Sequence, residues 1–150
     1  MHSVLDINNY NFDILYSELE DIVGSQNIAE RYLDKLAYSV DIYWIPTMWI
    51  DRGVNPPTAD IIVIPENENQ VSKIVKLANE YRIPVVTWGG GSGSQGGVLP
   101  IYGGIMLDLK KMDKTIDINM DAGSVTVEAG KIGQQLEWEL NKIGYMLPVL

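Results

Sequence analysis

The run Thr87-Trp88-Gly89-Gly90-Gly91-Ser92-Gly93-Ser94-Gln95-Gly96-Gly97 constrains this chain more than any other stretch. Six of its eleven residues are glycine, and it is entered directly from the apolar run Ile83-Pro84-Val85-Val86. Glycine is disfavoured inside regular elements, so such density marks a backbone requirement. The usual requirement is positive φ together with close approach of main chain to a ligand. Consecutive N–H groups without side chains in the way can wrap a phosphate as an anion nest. The plain alternative is a flexible Gly/Ser linker. Against it, apolar strand-like runs lie close on both sides, whereas linkers separate domains.

Composition narrows the function classes. The chain has 150 residues, enough for one ordinary domain with a core. Twenty acidic residues against eleven basic ones give a net charge of −9 and a pI near 4.4. Such a chain repels nucleic acid and anionic membrane surfaces, so neither is an expected partner. No apolar run is long enough to span a bilayer. The acidic N-terminus, with Asp6, Asp13, Glu18 and Glu20, does not read as a secretory signal. Cysteine is absent and His2 is the single histidine. Disulfides, thiolate sites, multi-histidine metal sites and histidine-based triads are therefore excluded within this chain, and a cytoplasmic location is expected.

The remaining pattern alternates helices with short strands. Phe12, Leu15, Leu19, Ile22 and Val23 lie at helical spacing and Gly24 ends the run. A second helix is expected after Asn27, with Ile28, Tyr32, Leu33 and Leu36 on one face. Residues 39–57 read as an irregular, ordered crossing segment, because Tyr43, Trp44, Pro46, Trp49, Gly53, Pro56 and Pro57 mix aromatics with breakers. Ile61-Ile62-Val63-Ile64 reads as a doubly covered parallel strand ending at Pro65. Asn67 with Gln70 marks a helix N-terminus, and Val71, Ile74, Val75, Ala78 and Tyr81 define its face. With Ile83-Pro84-Val85-Val86 this completes a βαβ unit, whose crossover is expected to be right-handed.

Beyond the glycine run the period changes. Ile105-Met106-Leu107-Asp108-Leu109 predicts a strand. Thr115 to Ile118 and Ser124 to Val127 alternate strictly and predict a hairpin with one solvated face. A helix follows Gly130, with Ile132, Leu136, Leu140 and Ile143 on one face and Gly144 at its C′ position. The chain stops in the apolar run Tyr145-Met146-Leu147-Pro148-Val149-Leu150, which reads as a fragment or as a chain whose next strands are supplied elsewhere.

Gly91-Ser92-Gly93-Ser94-Gln95-Gly96 formally satisfies G-x-G-x-x-G after a strand. A nicotinamide site needs that loop to open a helix. Here Gly97, Pro100, Gly103 and Gly104 leave no room for one before Ile105. No acidic residue ends a following parallel strand in the expected place either. A P-loop is excluded, since no Gly-Lys-Ser/Thr follows.

Six segments in order carry a resemblance: Ile61 to Pro65, the helix with Val71 and Ile74, Ile83 to Val86 before the glycines, Gly96-Gly97, Leu107-Asp108-Leu109 with Met112, and Val125-Thr126-Val127-Glu128-Ala129-Gly130. Together they resemble the FAD-binding domain of the p-cresol methylhydroxylase and vanillyl-alcohol oxidase family. Within it they are most similar to the branch containing glycolate oxidase, D-lactate dehydrogenase and alkyldihydroxyacetonephosphate synthase. Tyr38-Ser39-Val40-Asp41 matches a pattern upstream in that branch, so the resemblance covers roughly residues 38–150.

The resemblance implies an α+β fold: a small parallel βαβ sheet flanked by helices, then the start of an antiparallel sheet. It implies an N-terminal helical extension and crossing segment over residues 1–55 and the first part of the FAD-binding domain over residues 56–150. It places the FAD pyrophosphate on main-chain amides of Thr87, Trp88, Gly89, Gly90, Gly91, Ser92, Gly93 and Ser94. Ser92 adds a phosphate hydrogen bond or is simply a small turn residue. Trp88 departs from the arginine or other polar residue often found there, so no ionic contact carries over to that position. Where some members bind FAD through a loop histidine this chain has Gly91, so the expected flavin is noncovalent.

In the full-length protein the implied activity is flavin-dependent oxidation of a 2-hydroxy acid such as glycolate or lactate, with a homo-oligomer as a possible assembly. Catalytic residues are expected past Leu150, and this segment alone is expected to be inactive. A non-catalytic nucleotide-binding or interaction module and an FAD-dependent cell-wall precursor reductase stay open beside it. Met112, Trp44, Trp49 and Trp138 are expected to be packing residues, Asp108 and Asp113 turn or surface carboxylates, and Gly130 the hinge of a strand-to-helix junction.

Overall fold

The computed structural model describes residues 11–148; the expectations for His2, Asp6, Val149 and Leu150 lie outside them. Helix α1, Phe12–Val23, starts where Asn11 accepts hydrogen bonds from the amides of Asp13 and Ile14 at 3.0 and 3.3 Å. These are donors that the first helical turn leaves without a partner. Leu15, Leu19 and Val23 form its buried stripe, and the amide of Gly24 closes the helix on the Glu20 carbonyl.

The second helix differs from its sequence pattern. A 3-10 turn at Ser25–Asn27 leads into a short strand β1, Ile28–Ala29, and α2 begins only at Tyr32, running Tyr32–Ala37. Ile28 pairs with Val63, a contact that local spacing does not announce. Tyr32 and Leu33 are exposed, so the apolar spacing that suggested one long helix builds no buried face.

The segment over residues 39–57 is also more regular than expected, since it contains α3, Trp44–Asp51. Pro46 does not block this helix because it occupies the first turn, where its missing N–H would have no helical partner. Trp44 and Trp138 are not packing residues: both keep about three-fifths of their surface exposed, at 63% and 60%. Trp49 is half-buried.

Three strands then converge. β2, Ile61–Val63, is completely buried; β3 is Val85–Trp88 and β4 is Ile105–Asp108. Between β2 and β3 lies α4, Glu68–Tyr81, capped by Asn67 Oδ1 on the Gln70 amide at 3.0 Å, while Gln70 Oε1 accepts from the Glu66 amide at 2.7 Å. This reciprocal arrangement satisfies two otherwise orphaned donors. The buried residues of α4 are Ile74, Leu77 and Ala78, with Val75 turned outward, so the buried stripe is rotated slightly from the expected face.

Among the described residues the main sheet has the order β1-β2-β4-β3, with β2, β4 and β3 parallel and β1 antiparallel to β2. The βαβ unit is therefore split, with β4 inserted between the two strands that α4 joins. Alternating residues serve opposite faces. Ile61, Val63, Ile105 and Leu107 pack with Leu15, Leu19, Val23, Ile74 and Ala78 beneath α1 and α4. Ile62 and Met106 pack with Ala59 and Trp88 on the other face, where Tyr38, Val86 and Val98 close over them. Both faces are covered, which is why β2 reads as unbroken apolar sequence. Burying each such side chain contributes roughly 1.5–3 kcal/mol.

The inlet to β4 depends on Gly104, at φ +82°. Its amide donates to Asp60 Oδ2 at 2.7 Å and its carbonyl accepts from the Asp60 amide at 2.8 Å. A Cβ at this position would overlap the Pro84 carbonyl.

A separate antiparallel hairpin pairs β5, Thr115–Asn119, with β6, Ser124–Val127. A register shift between Thr115 and Asp117 interrupts the alternation expected from sequence and leaves Ile116 64% exposed. Helix α5, Gly133–Asn141, buries Leu136 and Leu140, while Ile132 and Ile143 keep about two-fifths of their surface exposed, at 38% and 41%. It ends in a Schellman pattern: the Gly144 amide donates to Asn141 and the Tyr145 amide to Leu140. Glu139 ties α5 to the hairpin by accepting from Thr115 Oγ1 at 2.6 Å and Lys131 Nζ at 2.5 Å.

Candidate functional site

Because β2, β4 and β3 are parallel, their carboxyl ends open on the same edge of the sheet. In open α/β sheets that edge is where ligands bind. The glycine run leaves the sheet there, directly after β3. Thr87 is exposed near the end of the strand, while the indole of Trp88 turns into the core and is 8% exposed. The Trp88 carbonyl accepts from the Leu109 amide at 2.9 Å and is spent inside the sheet.

The loop then curls back over its own tryptophan. Gly91 has φ +64°, and a Cβ there would strike the Trp88 indole. Glycine is required at that point on two counts, backbone conformation and space. Gly89 and Gly90 face open space. Gly90, Ser92, Gly93 and Ser94 are exposed, and Gly89 and Gly91 partly so. No amide N–H from residue 89 to residue 98 donates to another described residue. The result is a ten-residue stretch of main-chain donors, with Gln95 and Val98 its only side chains larger than serine, at the carboxyl end of a parallel strand.

Such an array suits an anion. N–H dipoles converging from a nest attract negative charge without a lysine or arginine in the loop, and this loop has neither. The residues present therefore fit the pyrophosphate of a dinucleotide.

A strap from the N-terminal half holds the loop from outside. Ile42 donates its amide to the Gly93 carbonyl at 3.1 Å. Asp41, 9% exposed, accepts from the Tyr43 amide through Oδ1 at 2.9 Å. Its Oδ2 is buried and has no hydrogen-bond partner among the described residues. That oxygen lies 3.3 Å from where a Cβ on Gly93 would stand.

Three residues before Asp41 in sequence, Tyr38 packs its ring against Trp88 with centroids 4.9 Å apart and the planes tilted by 57°. Its hydroxyl donates to Asp108 Oδ2 at 2.5 Å. Asp108 is thus not the turn or surface carboxylate its sequence position suggested: it is 1% exposed at the end of β4. It also accepts from the Lys110 amide at 2.9 Å and lies 3.2 Å from the Lys110 ammonium. A buried carboxylate is tolerable only when so satisfied. Burial, and then the Asp108 carboxylate, push the Tyr38 hydroxyl above the ordinary tyrosine range. For Lys110, burial pulls downward, but hydrogen bonds to Tyr38 and Asp108 outweigh it and leave the ammonium held above its usual value.

The other sequence landmarks lie apart from the loop. Met112 is buried and Asp113 exposed, as expected. Gly130 marks a close approach, because a Cβ there would overlap the Leu109 carbonyl. Sequence reasoning assigned no role to Asp41 or Tyr38; the signal available was the Tyr38-Ser39-Val40-Asp41 pattern itself.

Residues 59–150 match the family described as FAD binding domain. The chain is 34% identical over 135 residues to a mitochondrial D-lactate dehydrogenase [cytochrome] of Arabidopsis thaliana, a match covering 90% of this chain and 22% of that protein. Among solved structures it superposes on an alkyldihydroxyacetonephosphate synthase with a TM-score of 0.81 at 21% identity, covering 95% of this chain and 28% of that one. It also superposes on p-cresol methylhydroxylase with a TM-score of 0.72 at 22% identity, covering 88% and 25% respectively. The fold is therefore the one these structures share, with helices around a mixed sheet and a second, antiparallel sheet. This chain belongs to the FAD binding domain family. It spans about a fifth of the length of the curated relatives it matches.

Proposed function

We propose that this chain is the FAD-holding part of a flavin-dependent oxidoreductase that oxidises a 2-hydroxy acid, such as lactate or glycolate. The observation that carries the reading is the run of unpartnered amides from residue 89 to residue 98, at the carboxyl end of β3, in a member of an FAD binding domain family. The substrate class rests on the relationship to a D-lactate dehydrogenase.

In this reading the FAD pyrophosphate lies against main chain at Thr87, Trp88, Gly89, Gly90, Gly91, Ser92, Gly93 and Ser94. The amides free to donate to it run from Gly89 onward, and Ser92 would add its hydroxyl. The flavin, once bound, supplies the redox chemistry by accepting a hydride from the hydroxylated carbon. The chain's own contribution is to bind and orient. Trp88 and Tyr38 form a packed floor, Gly91 lets the backbone turn above it, and Ile42 holds the far side at Gly93. Gly91 stands where a covalent histidyl link would need a side chain, so we propose noncovalent FAD.

The test is a titration of the full chain with FAD, followed by flavin fluorescence and the visible spectrum. Saturable binding, with flavin released on denaturation, is the expected result. Failure to bind FAD at all would remove the reading, whereas flavin that stays attached to the denatured chain would remove only its noncovalent part.

A further inference from the structure

One carboxylate near the loop is buried with only one of its two oxygens paired among the described residues. Asp41 is nine-tenths buried, and its Oδ1 is occupied by the Tyr43 amide. Its Oδ2 is out of contact with water and lacks a partner among the described residues. A buried carboxylate oxygen left unpaired costs about 1–3 kcal/mol or more. A Cβ built on Gly93 would stand 3.3 Å from Oδ2, and Gly93 belongs to a run of amides without acceptors among the described residues. An unpaired acceptor thus lies beside a segment of unpaired donors, and Gly93 lacks the side chain that would keep them apart.

We propose that Asp41 is the latch of the glycine loop: when the loop wraps a dinucleotide, Oδ2 of Asp41 accepts a main-chain N–H from the segment around Gly93. Asp41 is then a positioning residue that acts through the loop, and it does not touch the ligand. This rests on the reading of the loop as the FAD cradle. Two features favour a latch over a direct ligand contact. Oδ2 is sealed from solvent, so a ligand hydroxyl cannot reach it, and a carboxylate directed at a phosphate would repel it. A third fixes its place: the neighbouring Ile42 amide already holds the Gly93 carbonyl at 3.1 Å, so the latch closes beside an existing hinge point.

The experiment uses the full chain and FAD as the probe, with Asp41→Asn and Gly93→Ala as variants. Asp41→Asn retains one acceptor for Tyr43 and loses the second. Gly93→Ala leaves residue 41 intact and places a methyl 3.3 Å from Oδ2, in the path of the closing loop. Both are expected to weaken FAD binding by about tenfold, the effect of one charge-assisted hydrogen bond. Hydrogen exchange is the readout that a merely structural role would not move. FAD should protect the amides around Gly93 in the unsubstituted protein, and in Asp41→Asn that protection should be lost while protection at Gly89 to Gly91 persists. Unchanged affinity and an unchanged protection pattern in Asp41→Asn would overturn the latch while leaving the cradle intact. If Asp41→Asn does not fold, full-strength FAD binding by Gly93→Ala overturns it alone. Absence of FAD binding by the unsubstituted chain would overturn the cradle, and the latch with it.

Discussion

The Tyr38 hydroxyl and the Asp108 carboxylate meet at 2.5 Å across a sequence separation of 70 residues. Asp108 ends β4, the strand that pairs with β3 along its length, and Tyr38 packs its ring on Trp88 at the end of β3. One phenol therefore fixes the two strand ends from which the glycine loop and the following turn depart.

Replacing Tyr38 with Phe keeps the ring on Trp88 and removes only the donor. We expect a loss of about 1–3 kcal/mol in urea unfolding, the cost of depriving a buried acceptor of one partner. The pH dependence follows the same group. Tyr38 is raised above its ordinary value of 10.0, first by burial and then by Asp108. Its stabilising contribution is complete below 10.0 and is lost as pH rises through the raised folded value. Unfolding midpoints measured into the alkaline range should fall less steeply in Tyr38→Phe than in the unsubstituted protein.

Asn27 makes a second hub. Fully buried, it donates Nδ2 to the Val23 carbonyl at 2.8 Å and to Glu66 at 3.2 Å, and accepts from Lys111 Nζ at 2.6 Å. Asn27→Ala strands these groups, and a loss of about 1–3 kcal/mol is expected in chemical denaturation. Lys111, and then Asn27, hold the Glu66 carboxyl below its ordinary 4.5. Its contribution is present above 4.5 and disappears as pH falls through the depressed folded value. Glu66→Gln should flatten that part of an acid titration of stability.

The glycines of the loop separate fold from ligand. Gly89 has open space around it, whereas Gly91 has positive φ and the Trp88 indole against it. Gly89→Ala should leave the unfolding midpoint within about 0.5 kcal/mol of the parent, since it meets no strain. Any loss of FAD affinity in Gly89→Ala therefore reports ligand contact. Gly91→Ala should cost about 1–3 kcal/mol from its forced left-handed conformation and reduce affinity as well. Equal thermal stability of the two variants would contradict the turn described here.

The two tryptophans most unlike each other give a packing test. Trp88→Ala should cost about 3–5 kcal/mol as a core truncation. Trp138→Ala, at a position 60% exposed, should change stability by about 0.5 kcal/mol or less. Thermal unfolding of the two single variants decides the matter.

What the sequence disclosed depended on how local the cause was. Ile61-Ile62-Val63 announced a strand covered on both faces, and Asn67 with Gln70 announced a helix start, because neighbours in sequence carry those signals. β1 was not legible: two residues pairing with Val63 and Ile62 leave no periodicity of their own. α3 was hidden because Pro46 reads as a breaker unless its place in the first turn is known. Asp108 looked like a turn carboxylate because its partner Tyr38 lies in a distant segment. At the glycine loop, composition marked a stretch of main chain free of large side chains but not the strap that restrains it, for the same reason.

The strap has a practical corollary for where this domain can be cut. The match to the FAD binding domain family begins at residue 59, whereas Tyr38, Asp41 and Ile42 all lie before it. A version trimmed to the family boundary would retain every glycine of the loop and lose the outer wall against which they are set. Its ligand affinity would then understate that of the intact protein, however well the shortened chain folds.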